Sequence, residues 1–230
     1  MHSAPILRDF DQAISTLRGE VLSMAAKARH NLERAVRALM ERNTELANAA
    51  IADDDEVDDS ERKIDQLGME ILVRFHPMAS DLRLVVSSMK ISMNLERIAD
   101  HATNIAKRAK KLTAGQDLPD VTLIEPLYTL ADHLLRDAIS AYSDHNAALG
   151  ASLHARDKEL DRMHNEATAT FGSRIEQSTG RSQDYLHLIL VTRSLERVGD
   201  LATNIGEDAV FLEAARDLRH ASNRDLGKNG

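Results

Sequence analysis

The sequence predicts an all-α fold, two tandem three-helix bundles with six long helices, built by an internal duplication. Three observations carry that expectation. The stretch Leu95-Glu96-Arg97-Ile98-Ala99-Asp100-His101-Ala102-Thr103-Asn104-Ile105 returns as Leu195-Glu196-Arg197-Val198-Gly199-Asp200-Leu201-Ala202-Thr203-Asn204-Ile205, an offset of 196 − 96 = 100 residues. A period that long marks a duplicated domain, not a solenoid of short units. Apolar residues recur at alternating spacings of three and four along almost the whole chain, which is the helical period, and no sustained period-two alternation competes. Ala, Leu, Arg, Glu and Asp dominate, with only four prolines, a helix-rich composition.

In the first helix Phe10, Ile14, Leu17, Val21, Met24, Ala28 and Ala35 form the apolar seam. The pattern breaks at Asn43-Thr44, where Thr44 is a candidate cap for a second helix with the seam Val57, Ile64 and Ile71. That helix must stop near His76-Pro77, because the residue before proline is pushed out of the helical region. Ser80 is a candidate cap for the third helix, whose seam is Leu84, Ile91, Ile98 and Ile105. Gly115 to Asp120 reads as the linker, and Pro126 fits the first turn of the fourth helix, where its missing N–H has no helical partner. Leu127, Leu134, Ala138 and Ala141 form the fourth seam. Breaks follow at Asp144 to Asn146 and at Ser178-Thr179-Gly180, and Leu188, Val191, Leu195, Val198, Ala202 and Ile205 mark the sixth helix. A helix of about 30 residues spans roughly 45 Å. The expected division is residues 1–116 and 117–220 for the two bundles, with 221–230 a polar tail that frays.

The 230 residues suffice for a sizeable core. The absence of cysteine excludes disulfides, thiolate metal sites and a cysteine nucleophile. A net charge of −8 argues against nucleic acid, which demands a large cationic surface. The basic run Lys107-Arg108-Lys110-Lys111 reads as the positively charged last turns of a helix. No signal peptide and no run of about 18 apolar residues is present. The expectation is a cytoplasmic protein that meets a membrane only through partners.

The repeated residues are mainly polar. On a helical wheel of about 100° per residue with Ile98 at zero, Glu96 and Asp100 fall about 160° away, on either side of the opposite face. Thr103 and Asn104 join that face, and Glu196, Asp200, Thr203 and Asn204 repeat it. The helix before each supplies a second pair: Asp54 and Asp58, then Asp157 and Asp161, an offset of 157 − 54 = 103 residues. Carboxylates at i and i+4 share one helical face, where alone they repel by roughly 0.2–0.5 kcal/mol. At this spacing they can bridge a hard cation through oxygen. Two readings stay open: a cation-holding surface, or a solvated acidic face on which Arg97 and Arg197 pair with Asp100 and Asp200 at i, i+3. Glu61 and Asp65 read as plain surface, because His164 and Thr168 replace them in the second half. No Glu-x-x-His pair, phosphate-binding loop or nucleophile elbow appears.

Leu95-Glu96-Arg97-Ile98-Ala99-Asp100 through Arg108, and Arg193 through Ile205, resemble the two signature helices of the PhoU family. Pro77-Met78-Ala79-Ser80-Asp81-Leu82-Arg83 and Arg219-His220 are similar to further segments of it, so the resemblance runs from about residue 6 to 220. His76 and Gly180 depart from its pattern without touching the carboxylates. The resemblance implies two three-helix bundles and multinuclear iron or zinc clusters held by Asp54, Asp58, Glu96 and Asp100, and by Asp157, Asp161, Glu196 and Asp200. It implies a non-enzymatic adaptor between the ATPase subunit of the phosphate ABC transporter and a sensor histidine kinase, repressing the phosphate-starvation response and phosphate uptake. It also implies a homodimer. The alternatives are a metal-free coiled-coil scaffold and a metal-dependent helical-bundle enzyme.

Overall fold

In a computed structural model, described over residues 3–177 and 180–214, the first helix, α1 (Ser3–Met40), buries Leu17, Val21, Met24, Ala28 and Ala35 as its periodicity requires. The second rod is interrupted. It runs as α2 (Thr44–Ala52) and α3 (Asp54–Phe75), with Asp53 between them. The run Asp53-Asp54-Asp55-Glu56 explains the break, since acidic side chains belong at a helix N-terminus and not inside a helix. Asp53 also meets Arg34 of α1 in an ion pair. The cap of α2 is Asn43, not Thr44. Its side-chain oxygen accepts from the N–H groups of Glu45 at 2.9 Å and Leu46 at 3.1 Å.

α3 ends at His76, which takes the left-handed conformation at φ 48° just before Pro77. α4 (Ala79–Thr113) starts two residues earlier than a Ser80 cap would allow, after Met78, which gives no side-chain cap bond. A 3-10 turn over Pro119–Leu123 leads into α5 (Ile124–Ser143), with Pro126 in its first turn. α6 (Ala147–Gln177) and α7 (Ser182–Ala214) complete the chain. The expected break at Ser178-Thr179 and the tail 221–230 lie outside the described residues, and Gly180 sits at φ 101° in the turn.

The helices form two three-rod halves: α1, α2–α3 and α4, then α5, α6 and α7. The signature helices α4 and α7 pack side by side and join the halves. Ser87 Oγ donates to the Asp208 carbonyl at 3.3 Å across that seam, and the buried hydroxyls of Ser88 and Tyr142 meet at 2.7 Å. Arg29 of α1 grips Asp132 of α5 at 2.5 and 3.2 Å. Arg42 donates to the carbonyls of Thr113, Gly115 and Gln116, and Arg181 to those of Gln116 and Asp117, so the linker is held from both halves. Among the described residues no helix is long and apolar enough to cross a membrane.

Candidate functional site

The acidic pairs meet within each half, in the groove between consecutive helices. In the second half α6 carries Asp157 and Asp161, and α7 carries Glu196 and Asp200. One ligand oxygen each from Asp161, Glu196 and Asp200 fall within 4.8 Å of one another, the one such group of three among the described residues. Asp157 lies deeper, 8% exposed, and its buried Oδ1 has no hydrogen-bond partner. Burial first, then Asp200, Asp161 and Glu196, push its carboxyl up to about 7. Burial and Asp200 also raise Glu196.

Gly199 sets this depth. A Cβ there would stand 2.8 Å from Asp157 Oδ1 and would strike Leu160. The first half has Ala99 at the matching position, so the closer approach belongs to the second half alone. Arg197 bridges Asp200 at 2.8 Å and Glu196 at 3.4 Å, and thereby neutralises part of the cluster. The i, i+3 pairing expected on a solvated face is therefore realised here, next to an orphaned buried oxygen that it does not reach.

In the first half α3 offers Asp54 and Asp58 to Glu96 and Asp100 of α4. Glu96 is half-buried. Burial first, then Asp100, Glu61, Asp58 and Asp54, push its carboxyl up to about 7. Asp54 is raised by burial and by Asp100 and Asp58. Glu61 is not plain surface: it is half-buried, raised by burial and by Asp65 and Asp58, and its charge bears on Glu96. It extends the stripe Asp54, Asp58, Glu61 along one face of α3. At the corresponding place in the second half stands His164, close enough to Glu196 to lower its pKa, and with a buried Nδ1 that has no partner.

Two wheel placements are corrected. Thr103 and Thr203 are buried at 3% and 6% exposure rather than outward. Their hydroxyls make no hydrogen bond of normal length, yet Thr103 stands near enough to Asp54 to hold its carboxyl down against burial. Asn104 and Asn204 are exposed as expected. Between the halves lies a cavity of about 390 Å³ bounded by Arg97, His101, His154, Asp157, Arg197 and Asp200. His101 stands there with its pKa lowered by burial, and by Arg97 and Arg197 against the opposite pull of Asp100 and Asp200.

The carboxylates could hold cations. The orphaned Asp157 oxygen and three converging oxygens fit a bound ion, and carboxylates that repel one another are what such an ion relieves. Oxygen donors throughout suit hard cations.

The PhoU domain matches residues 21–109 and, a second time, 124–209. The phosphate-specific transport system accessory protein PhoU homolog of Pseudomonas putida is 33% identical over 216 residues, 94% of this chain and 84% of that protein. The homolog of the same description from Caulobacter vibrioides is 32% identical, with 92% and 93% covered. The crystal structure of PhoU from Pseudomonas aeruginosa superposes with a TM-score of 0.87 at 30% identity, over 90% of this chain and all of that one. The phosphate transport system regulatory protein PhoU from Streptococcus pneumoniae shares the fold, with a TM-score of 0.84 at 24% identity over 91% and 99% of the two chains.

Proposed function

Because this chain belongs to the PhoU family, we propose that it is the adaptor that couples phosphate transport to the phosphate-starvation response and represses both. Family membership carries a regulatory, non-catalytic role in phosphate signalling. The finer reading is that the chain bridges the ATPase subunit of a phosphate ABC transporter to a sensor histidine kinase, as a homodimer, at the cytoplasmic face of the membrane. The division at 116/117 into two PhoU units belongs to the same reading, as do the cation sites. Asp54, Asp58, Glu96 and Asp100 would hold one group of ions, and Asp157, Asp161, Glu196 and Asp200 the other. Bound there, a cation supplies positive charge that lets neighbouring carboxylates stay ionised and fixes α3 against α4 and α6 against α7.

The single observation that supports cation binding best is the buried Asp157 oxygen without a partner, beside the converging oxygens of Asp161, Glu196 and Asp200. One observation favours the metal-free reading in the second half: Arg197 already pairs with Glu196 and Asp200. The adaptor reading is tested by binding of the purified chain to the transporter ATPase and to the kinase's cytoplasmic portion. Saturable binding to both supports it. Binding to neither, with the protein folded, leaves a scaffold.

A further inference from the structure

The C-terminal part of α4 carries a second surface, of opposite charge to the acidic groove. Lys107, Arg108, Lys110 and Lys111, with Asn104 and the side chain of Ile51 from α2, line a cavity of about 360 Å³. No carboxylate lines it, and none of the four cations makes an ion pair among the described residues. Lys107 does feel Asp54 at the start of α3, and Arg108 and Lys111 face His187 of α7, near Asp184.

Completion of the helix dipole does not account for this patch. That effect acts within the last turn, which contains Lys110 and Lys111 but not Lys107 and Arg108. The internal duplication supplies the control. At the offset of 100 residues, Asn104 is kept as Asn204, while Lys107, Arg108, Lys110 and Lys111 are replaced by Glu207, Asp208, Val210 and Phe211. α7 has no basic residue in its last turn, so this helix ends in the same fold without the cations. The basic stripe is therefore a property of the first half, in a chain whose net charge is −8.

Charge density selects the occupant. Four cations stand within about 6 Å of helix axis, and Asn104, Lys107, Arg108 and Lys111 share one face by their spacing of three and four. An extended acidic peptide brings same-side carboxylates only about every 6.6 Å, one charge at a time. A phosphoryl group carries about −1.5 to −2 on a single tetrahedron with three acceptor oxygens. The guanidinium of Arg108 and the ammonium groups of three lysines are the side chains that recognise such groups. The cavity volume lies in the range of small-molecule sites, about 300–1,000 Å³.

We propose that this groove of α4 and α2 binds a compact polyphosphoryl anion, either inorganic oligophosphate or the phosphate chain of a nucleotide. The proposal does not depend on the acidic clusters holding metal. It is tested by calorimetric titration of the full chain with inorganic triphosphate and, separately, ATP, in EDTA and about 150 mM salt, where weak surface attraction is screened. The expected result is one site per chain, weakened at least tenfold by Lys107→Gln/Lys111→Gln and unchanged by the charge-matched control Arg8→Gln/Arg37→Gln, with helicity retained in both. Tighter binding of ATP than of triphosphate assigns the nucleotide and puts its base on Ile51, whereas equal binding assigns the inorganic chain. Absence of binding by either, binding that the control weakens equally, or binding only of a polyglutamate peptide overturns the proposal.

Discussion

Asp157 shows how one methyl group decides a site. With Gly199 opposite it, α7 comes close enough to bury the carboxyl and leave one oxygen without a partner. Its pKa in the folded protein is about 7, above the unfolded value near 3.8. A raised carboxyl pKa means that the folded state resists ionisation, so metal-free stability from this group is greatest at low pH. It falls as pH rises from about 4 through about 7. Asp157→Asn removes that slope. The variant is expected to be more stable than wild type at pH 8 in EDTA, by about 1–2 kcal/mol once solvent screening of a half-open cluster is allowed for, and to approach it near pH 5. Thermal unfolding at the two pH values checks this. The eight carboxylates were legible because the chain repeats them. Glu61 was not, because its partner in the repeat is His164, and a search for identity passes over a position where the two halves differ. The burial of Thr103 and Thr203 was hidden for another reason: a wheel centred on one seam ignores the helix packed on its flank, which for Thr103 includes Asp54 of α3.

At the scale of the helix, the long rods were legible from period alone, because long amphipathic helices carry their pattern through many turns. Their ends were less so. Asn43 and Thr44 are adjacent cap-forming residues, and only geometry decides between them. The break at Asp53 needed the balance of an acidic run against an apolar seam that continues from Ala50 to Val57. Glycines divide into two kinds within one helix. Gly172 of α6 has nothing within 4 Å of a Cβ, so Gly172→Ala is expected to stabilise by about 0.5–1 kcal/mol through helix propensity. Gly150 of the same helix would place a Cβ 2.5 Å from the Gly206 carbonyl oxygen of α7. That backbone atom cannot swing aside, so Gly150→Ala is expected to destabilise by about 1–3 kcal/mol despite the same propensity gain. Denaturant midpoints of the two variants, measured side by side, separate close packing from propensity.

Across the whole molecule, duplication produced two similar frames and let their surfaces diverge. Each half keeps an acidic groove between consecutive helices, while the end of α4 is basic and the end of α7 is acidic and apolar. The joining of α4 to α7 places both grooves beside one seam, with His101 under the field of each. That arrangement was not legible in the sequence, which allowed the acidic pairs to meet either within a half or across halves. Elemental analysis decides whether the repeated carboxylates are the cation sites proposed for this phosphate-signalling adaptor. The protein is purified without chelator, as wild type, Glu96→Ala/Asp100→Ala and Glu196→Ala/Asp200→Ala. Several equivalents of metal are expected in the wild type, with each double variant losing the share of its own half while circular dichroism stays helical. A wild type that is folded and metal-free, or double variants that unfold, would contradict that proposal.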